Sequence, residues 1–266
     1  MMGYIENPKT KKSGVVAAIP QTGKCPNMCD HCFFQSGRSF LEPLDENLPN
    51  MPSPEVADCR VVRVNDGNDS NVQRDKVMAA VSHYRMKFYN TAIPDDLEGF
   101  DAPVVLTVNP ADMTYTQAYL LKPIPKNLMF VRVRATTWTT DLIDRVVEHY
   151  SACEVPIVLT FMAFFSDAVE ECVPEGHRDN YMYRKRTTNA YWAITTDAWR
   201  KVMQRYEDNK WVYSCGFEGE RDTSACHRCG NCLREYFYTM ERLRRDEDGK
   251  LKEGVEADDK AVAQAL

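Results

Sequence analysis

Seven of the chain's ten cysteines stand in two groups, and their spacing is the strongest chemical signal in the sequence. Cys25, Cys29 and Cys32 lie in the run GKCPNMCDHCFF, with gaps of three and two residues. Cys215, Cys226, Cys229 and Cys232 form the second group, with gaps of ten, two and two. Thiolates this close together can converge on one metal centre, whereas disulfide frameworks spread cysteines over longer separations. In the second group Gly216 and Gly230 give the backbone room to wrap around a metal.

The first group follows the apolar run GVVAAI, which reads as a buried strand ending at Ile19, and a short loop with Gly23 and Pro26 then carries the cysteines. Three thiolates on one loop can ligate three irons of a cubane cluster and leave the fourth iron open. This CxxxCxxC after a first strand resembles the signature of the radical S-adenosylmethionine superfamily, which folds as a partial (β/α)6 barrel. The resemblance implies a [4Fe–4S] cluster on Cys25, Cys29 and Cys32, whose open iron is chelated by the amino and carboxylate groups of S-adenosylmethionine. One electron then cleaves the sulfonium, giving methionine and a 5′-deoxyadenosyl radical that abstracts a substrate hydrogen. His31 departs from the family, which often has an aromatic residue before the third cysteine.

The same resemblance assigns further cofactor contacts. The family's GGE-like turn after the second strand, which meets the amino group of S-adenosylmethionine, corresponds loosely to Gly67, Asn68 and Asp69, with Asp66 as another acceptor. Here Asn stands for the second Gly and Asp for Glu. Thr107 with Asn109, and Arg134 with Thr136, end two later strands; active sites of barrels sit at C-terminal strand ends, so these residues are placed to meet ribose or carboxylate. An arginine suits a carboxylate because its planar fork binds it bidentately. An equally open reading leaves Arg132 and Arg134 on a strand face that points to solvent. Val155–Met162 resembles the strand that cradles adenine in this family.

The overlapping CxxCxxC of the second group resembles a ferredoxin run, and also the auxiliary-cluster extensions that follow some radical S-adenosylmethionine barrels. It lacks the longer seven-cysteine SPASM pattern. A second [4Fe–4S] cluster is expected on Cys215, Cys226, Cys229 and Cys232, with a structural zinc ion as the alternative. Four thiolates would close that centre, leaving it to conduct electrons or hold the fold. Cys59 and Cys172 remain unassigned, and Cys153 reads as core. Tyr181–Arg186 mixes aromatic and basic residues and reads as a solvated loop. His83, His149, His177 and His227 carry no motif.

Strands are expected at Gly14–Ile19, Arg60–Asn65, Met86–Ala92, Pro103–Val108, Leu128–Ala135, Val155–Met162 and Trp211–Ser214, most of them near-continuous apolar runs suited to a parallel sheet. Arg63, Arg132 and Arg134 interrupt that pattern and suggest a wet barrel interior. Helices are expected at Asn71–Arg85, Asp141–Ala152, Asp197–Glu207 and Cys232–Arg245, with Thr140 and Thr196 as N-caps. The alternation gives an α/β fold, a partial (β/α)6 TIM-like barrel with a small C-terminal cysteine-rich extension. The link from Ala92 to Pro103 is too short for a helical crossover, so one of its two strands is expected to be antiparallel or at an edge. Four prolines within 33–58 exclude a long helix and indicate an irregular excursion.

The chain thus divides into a leader at 1–12, the barrel at 13–210, the second cysteine segment at 211–245 and an acidic, disordered tail at 246–266. That tail holds seven acids and three bases within 246–260, a net of −4 out of the chain's −6. The body is close to neutral, which does not call for a nucleic-acid partner. No run of apolar residues suits a membrane span, and the N-terminus lacks a signal-peptide core, so the expected location is the cytoplasm. The function expected from the resemblance is S-adenosylmethionine-dependent hydrogen abstraction from a peptide, a nucleotide or a small metabolite. Its implied partners are S-adenosylmethionine and an electron donor such as flavodoxin or ferredoxin. The competing expectation is a non-catalytic zinc-binding or redox-sensing protein with two cysteine sites.

Overall fold

A computed structural model describes residues 3–21, 25, 27, 29, 31–32, 49–65, 67–109, 116–185, 190–216 and 225–245. Seven parallel strands make one curled sheet, a half-barrel: β1 (Val15–Ala18), β2 (Val61–Val64), β3 (Lys87–Thr91), β4 (Val104–Val108), β5 (Leu128–Ala135), β6 (Ile157–Phe161) and, at the far edge, β10 (Val212–Ser214). Each of β2 to β6 pairs with the strand before it in the chain. Every residue of β1, β2 and β3 is buried, which is why these strands carry apolar side chains on both faces.

The two faces have different covers. On the outer face Val16, Val62, Val64, Leu106, Val131 and Leu159 pack under the crossover helices α2 (Arg74–Ala80), α3 (Thr140–Ala152) and α4 (Thr196–Gln204). On the inner face Val15, Val61, Phe88, Val105, Phe130 and Val158 meet Leu233 and Tyr236 of α6 (Asn231–Arg244). The helix therefore lies inside the half-barrel. Leu233 seats against Gly14, where an added Cβ would fall 2.7 Å from its Cδ1. Arg242 fastens the other end, donating to the carbonyls of Leu128 at 2.7 Å and Lys126 at 3.2 Å.

All seven expected strands are present. Arg63, Arg132 and Arg134 share the inner-face parity of Val61 and Phe130, above the apolar layer. The expectation for the Ala92–Pro103 link is overturned. Both β3 and β4 are interior and parallel, and residues 92–103 cross over with one 3-10 turn, Leu97–Gly99. Leu97 and Phe100 supply the outer-face cover that a longer helix would give.

Other boundaries shift for local reasons. Gln73 takes a left-handed conformation (φ 56°), so α2 starts later than expected. The N-caps of α3 and α4 are Thr139 and Thr195, one residue earlier than expected, and the Thr195 hydroxyl accepts from Ala198 N–H at 3.3 Å. A four-residue helix, α1 (Pro54–Ala57), closes the proline-rich stretch. The solvated-loop reading of Tyr181–Arg186 is corrected. Tyr181–Lys185 is strand β8, antiparallel to β9 (Ala190–Ile194), which also pairs with β7 (Ala163–Phe164). Buried Phe164 and Tyr181 anchor this small sheet on Trp138. The tail at 246–266, most of the 33–58 excursion, and Gly23, Pro26 and Asp66 lie outside the described residues.

Candidate metal and cofactor site

Strand β1 ends at Ala18, and the chain passes directly into the first cysteine loop at the C-terminal end of the sheet. Two braces hold that loop. The first is Asp69, which follows β2 and is 3% exposed. Its carboxylate accepts from Thr91 Oγ1 (2.7 Å), Ala92 N–H (2.7 Å), Asn71 N–H (2.9 Å) and the Asn27 amide (2.8 Å). Asn27 lies between Cys25 and Cys29, so one carboxylate ties the cysteine loop to the end of β3. Gln21 adds bonds from its amide to the carbonyls of Asp69 (2.8 Å) and Val72 (2.9 Å). Asn65, in a left-handed conformation (φ 60°), turns the chain out of β2 and donates to Ser70 Oγ at 3.0 Å.

The second brace is Arg134. Its guanidinium donates to the His31 carbonyl at 3.0 Å and to the Met162 sulfur at 2.9 Å, linking the loop to β5 and β6. The His31 ring meets Phe164 edge-on, with centroids 5.2 Å apart. Cys25 is buried, which pushes its thiol up; the Asp69 carboxylate and Cys32 add to this, while backbone N–H groups of Asn27 and Asp69 oppose it. Such a thiol ionises readily only beside a positive centre. Cys29 and Cys32 are half-buried, and Cys32 N–H donates to the Cys29 carbonyl at 3.2 Å.

The residues expected at the cofactor divide by position. Gly67 and Asn68 are half-buried in the turn before Asp69, and the Asn68 side chain accepts from Asp69 N–H at 2.9 Å. Asp69 and Arg134 each make one bond to the loop, at Asn27 and His31, and also bond to neighbouring strand ends. Asn109 is buried at the end of β4, in the inner-face row of Arg134. Thr136 bonds Thr139 at 2.8 Å, at the start of α3.

The second cysteine group lies along the same inner face. Cys215 N–H donates to the Leu159 carbonyl at 2.8 Å, which extends β10 past Ser214 and sets Cys215 in the row of Thr160 and Arg134. Cys226 and Cys229 sit three apart on α5 (Ala225–Cys229), hence on one side of it, and Cys232 follows in the first turn of α6. Gly230, at φ 64°, makes the bend between the two helices. The Cys229 thiol donates to the Cys215 sulfur, so Cys215 is held well below its usual range, helped by the charges of Arg132, Lys9 and Arg63; the same bond holds Cys229 high. Asn231 ties the helix start to the Ser214 carbonyl at 2.9 Å.

Both groups are thiol-only donor sets, suited to soft, thiophilic metals such as iron in clusters or zinc. Among the described residues, no three His, Cys, Asp or Glu side chains already form a metal cage. No described helix is long and apolar enough to cross a membrane. Comparison with protein families, curated proteins and solved structures finds no match to this chain.

Asn27, Gln21, Thr91 and Lys9 are site residues that the sequence did not disclose. Asn27 carried a usable signal, since an amide between two clustered cysteines is well placed to fasten the loop. Thr91 and Lys9 carried none; topology alone brings them in.

Proposed function

We propose that the protein is a radical S-adenosylmethionine enzyme, with one [4Fe–4S] cluster on Cys25, Cys29 and Cys32 and a second on Cys215, Cys226, Cys229 and Cys232. The observation that carries this reading is a three-cysteine loop at the C-terminal end of β1 in a parallel half-barrel, braced by Asp69 from β2 and Arg134 from β5. The wall of a barrel at its C-terminal strand ends is where reacting groups are gathered. When bound, the first cluster and S-adenosylmethionine supply a 5′-deoxyadenosyl radical that takes a hydrogen atom from the substrate.

The chain's own residues do the rest. Asp69 and Arg134 hold the loop at Asn27 and His31, between the cysteines that present the three thiols. Gly67 and Asn68, in the turn before Asp69, line the methionine end of the cofactor. Asn109 supplies a buried amide for ribose or carboxylate. The small sheet β7–β9–β8 closes one side through the His31–Phe164–Trp138 stack, which keeps water from the reacting centre.

Metal and sulfide analysis of anaerobically purified protein tests the reading, together with reductive cleavage of S-adenosylmethionine. The expected content is about eight irons per chain, falling to about four when Cys25, Cys29 and Cys32 are all replaced by Ala. 5′-Deoxyadenosine production is lost in that triple variant. Cleavage that survives it overturns the enzyme reading, and zinc in place of iron at both sites favours the non-catalytic alternative.

A further inference from the structure

The small sheet runs in the order β7–β9–β8, and among the described residues no strand pairs with the far side of β8. The Asn180 carbonyl accepts from Thr195 N–H at 2.8 Å, which fixes the alternation of the ladder. Met182 and Arg184 then stand in hydrogen-bonded pairs with Ala193 and Tyr191, so the backbone groups of Tyr183 and Lys185 point away from β9. Side chains along this edge change character in one direction. Met182 is 39% exposed and Tyr183 45%. Arg184 and Lys185 follow, and among the described residues neither enters an ion pair; the Arg184 guanidinium reaches the Met182 sulfur at 3.9 Å. The start of the strand lies toward the first cysteine loop. The Tyr181 ring is 5.6 Å from that of Phe164, which in turn meets the ring of His31.

Outward backbone donors and acceptors on an edge strand form a template for one more strand. We infer that β8 docks an extended peptide substrate in antiparallel register, with two acidic residues opposite Lys185 and Arg184, then two apolar residues opposite Tyr183 and Met182. That this peptide is a substrate rests on the function proposed above; the docking edge does not. Antiparallel addition continues the pattern of the sheet and lets Tyr183 and Lys185 each exchange both backbone bonds with the peptide. Carboxylates opposite the two cations and apolar side chains opposite Met182 and Tyr183 are favourable cross-strand pairs. A second copy of the chain is a poor occupant, because two antiparallel β8 strands would gather four like charges on one short ladder. In the inferred register the peptide continues past its apolar pair toward Tyr181, and so toward the cysteine loop.

The probe is a fluorescein-labelled peptide with the core Glu-Glu-Val-Val, titrated with the full chain and read by fluorescence anisotropy. It is expected to bind at least about tenfold more tightly than the same peptide with Lys-Lys-Val-Val. Arg184→Glu combined with Lys185→Glu reverses that preference. Tyr183→Pro abolishes binding of the acidic peptide; its lost N–H faces the open edge, so the β8–β9 ladder is kept, and an unchanged far-ultraviolet circular dichroism spectrum checks this. Absence of binding, or a preference that survives both the charge reversal and the proline, overturns the inference. So does a concentration-dependent dimer that Tyr183→Pro dissolves, which assigns the edge to a second copy. In the reduced holoprotein the acidic peptide raises 5′-deoxyadenosine formation in the parent and not in Tyr183→Pro; unchanged formation with binding intact overturns the substrate assignment. S-adenosylmethionine cleavage without peptide binding removes this inference alone. Peptide binding by a protein that never cleaves S-adenosylmethionine removes the enzyme reading and leaves the docking edge.

Discussion

Asp69 shows how far a residue's role depends on what folding brings to it. Read along the chain, it is an acid in a turn after a strand, and the cofactor's ammonium is its natural partner. In the fold its carboxylate accepts four hydrogen bonds, from residues up to 42 positions away, and so holds the cysteine loop. Asp69→Ala leaves those donors without their acceptor, at a cost of at least about 2 kcal/mol in a buried setting. The expected outcome is a lower unfolding midpoint together with iron loss from the first site, read by denaturation and metal analysis. Normal iron with only weaker S-adenosylmethionine binding returns Asp69 to a purely cofactor-facing role. The cysteine spacing was legible because it is local. The Arg134–His31 bond was not, because its partners stand 103 residues apart.

At the scale of elements, α6 matters most. Its position was readable from the sequence, but its place inside the half-barrel was not. The sequence places this helix in the second cysteine segment and does not say which face of the sheet it covers; the seating of Leu233 on Gly14 and the inner-face cluster show that. Leu233→Ala removes a nearly buried side chain from that seat. It is expected to cost about 2–5 kcal/mol, the usual range for such a truncation in a core, and urea unfolding of the metal-free protein would show it. A change below about 0.5 kcal/mol, the level of an ordinary surface substitution, means that the helix is held elsewhere. The small sheet was missed because Arg184 and Lys185 masked the strand propensity of their aromatic neighbours. Tyr191 and Trp192 of the paired strand were the readable signal.

Over the whole molecule, the N-terminal segment ties the chain before β2 to the second cysteine group. Glu6 pairs with Arg60 at 2.7 Å, Ile5 and Asn50 exchange two hydrogen bonds, and Lys9 meets Cys226. Residues read as a leader are thus structural. Removal of residues 1–12 is expected to deplete metal at the second group before the first, measured as iron per chain after desalting; equal loss from both groups would count against this. The order of the sheet carries one more consequence, for synthesis on the ribosome. Strands β2 to β6 can each add to the preceding strand as they emerge, so the sheet grows in step with translation. Its inner apolar layer is covered by α6, which follows every strand of the sheet in the chain. Until α6 has emerged the nascent half-barrel therefore bares Val15, Val61, Phe88, Val105 and Phe130, a surface that invites self-association and that a holdase chaperone is suited to shield.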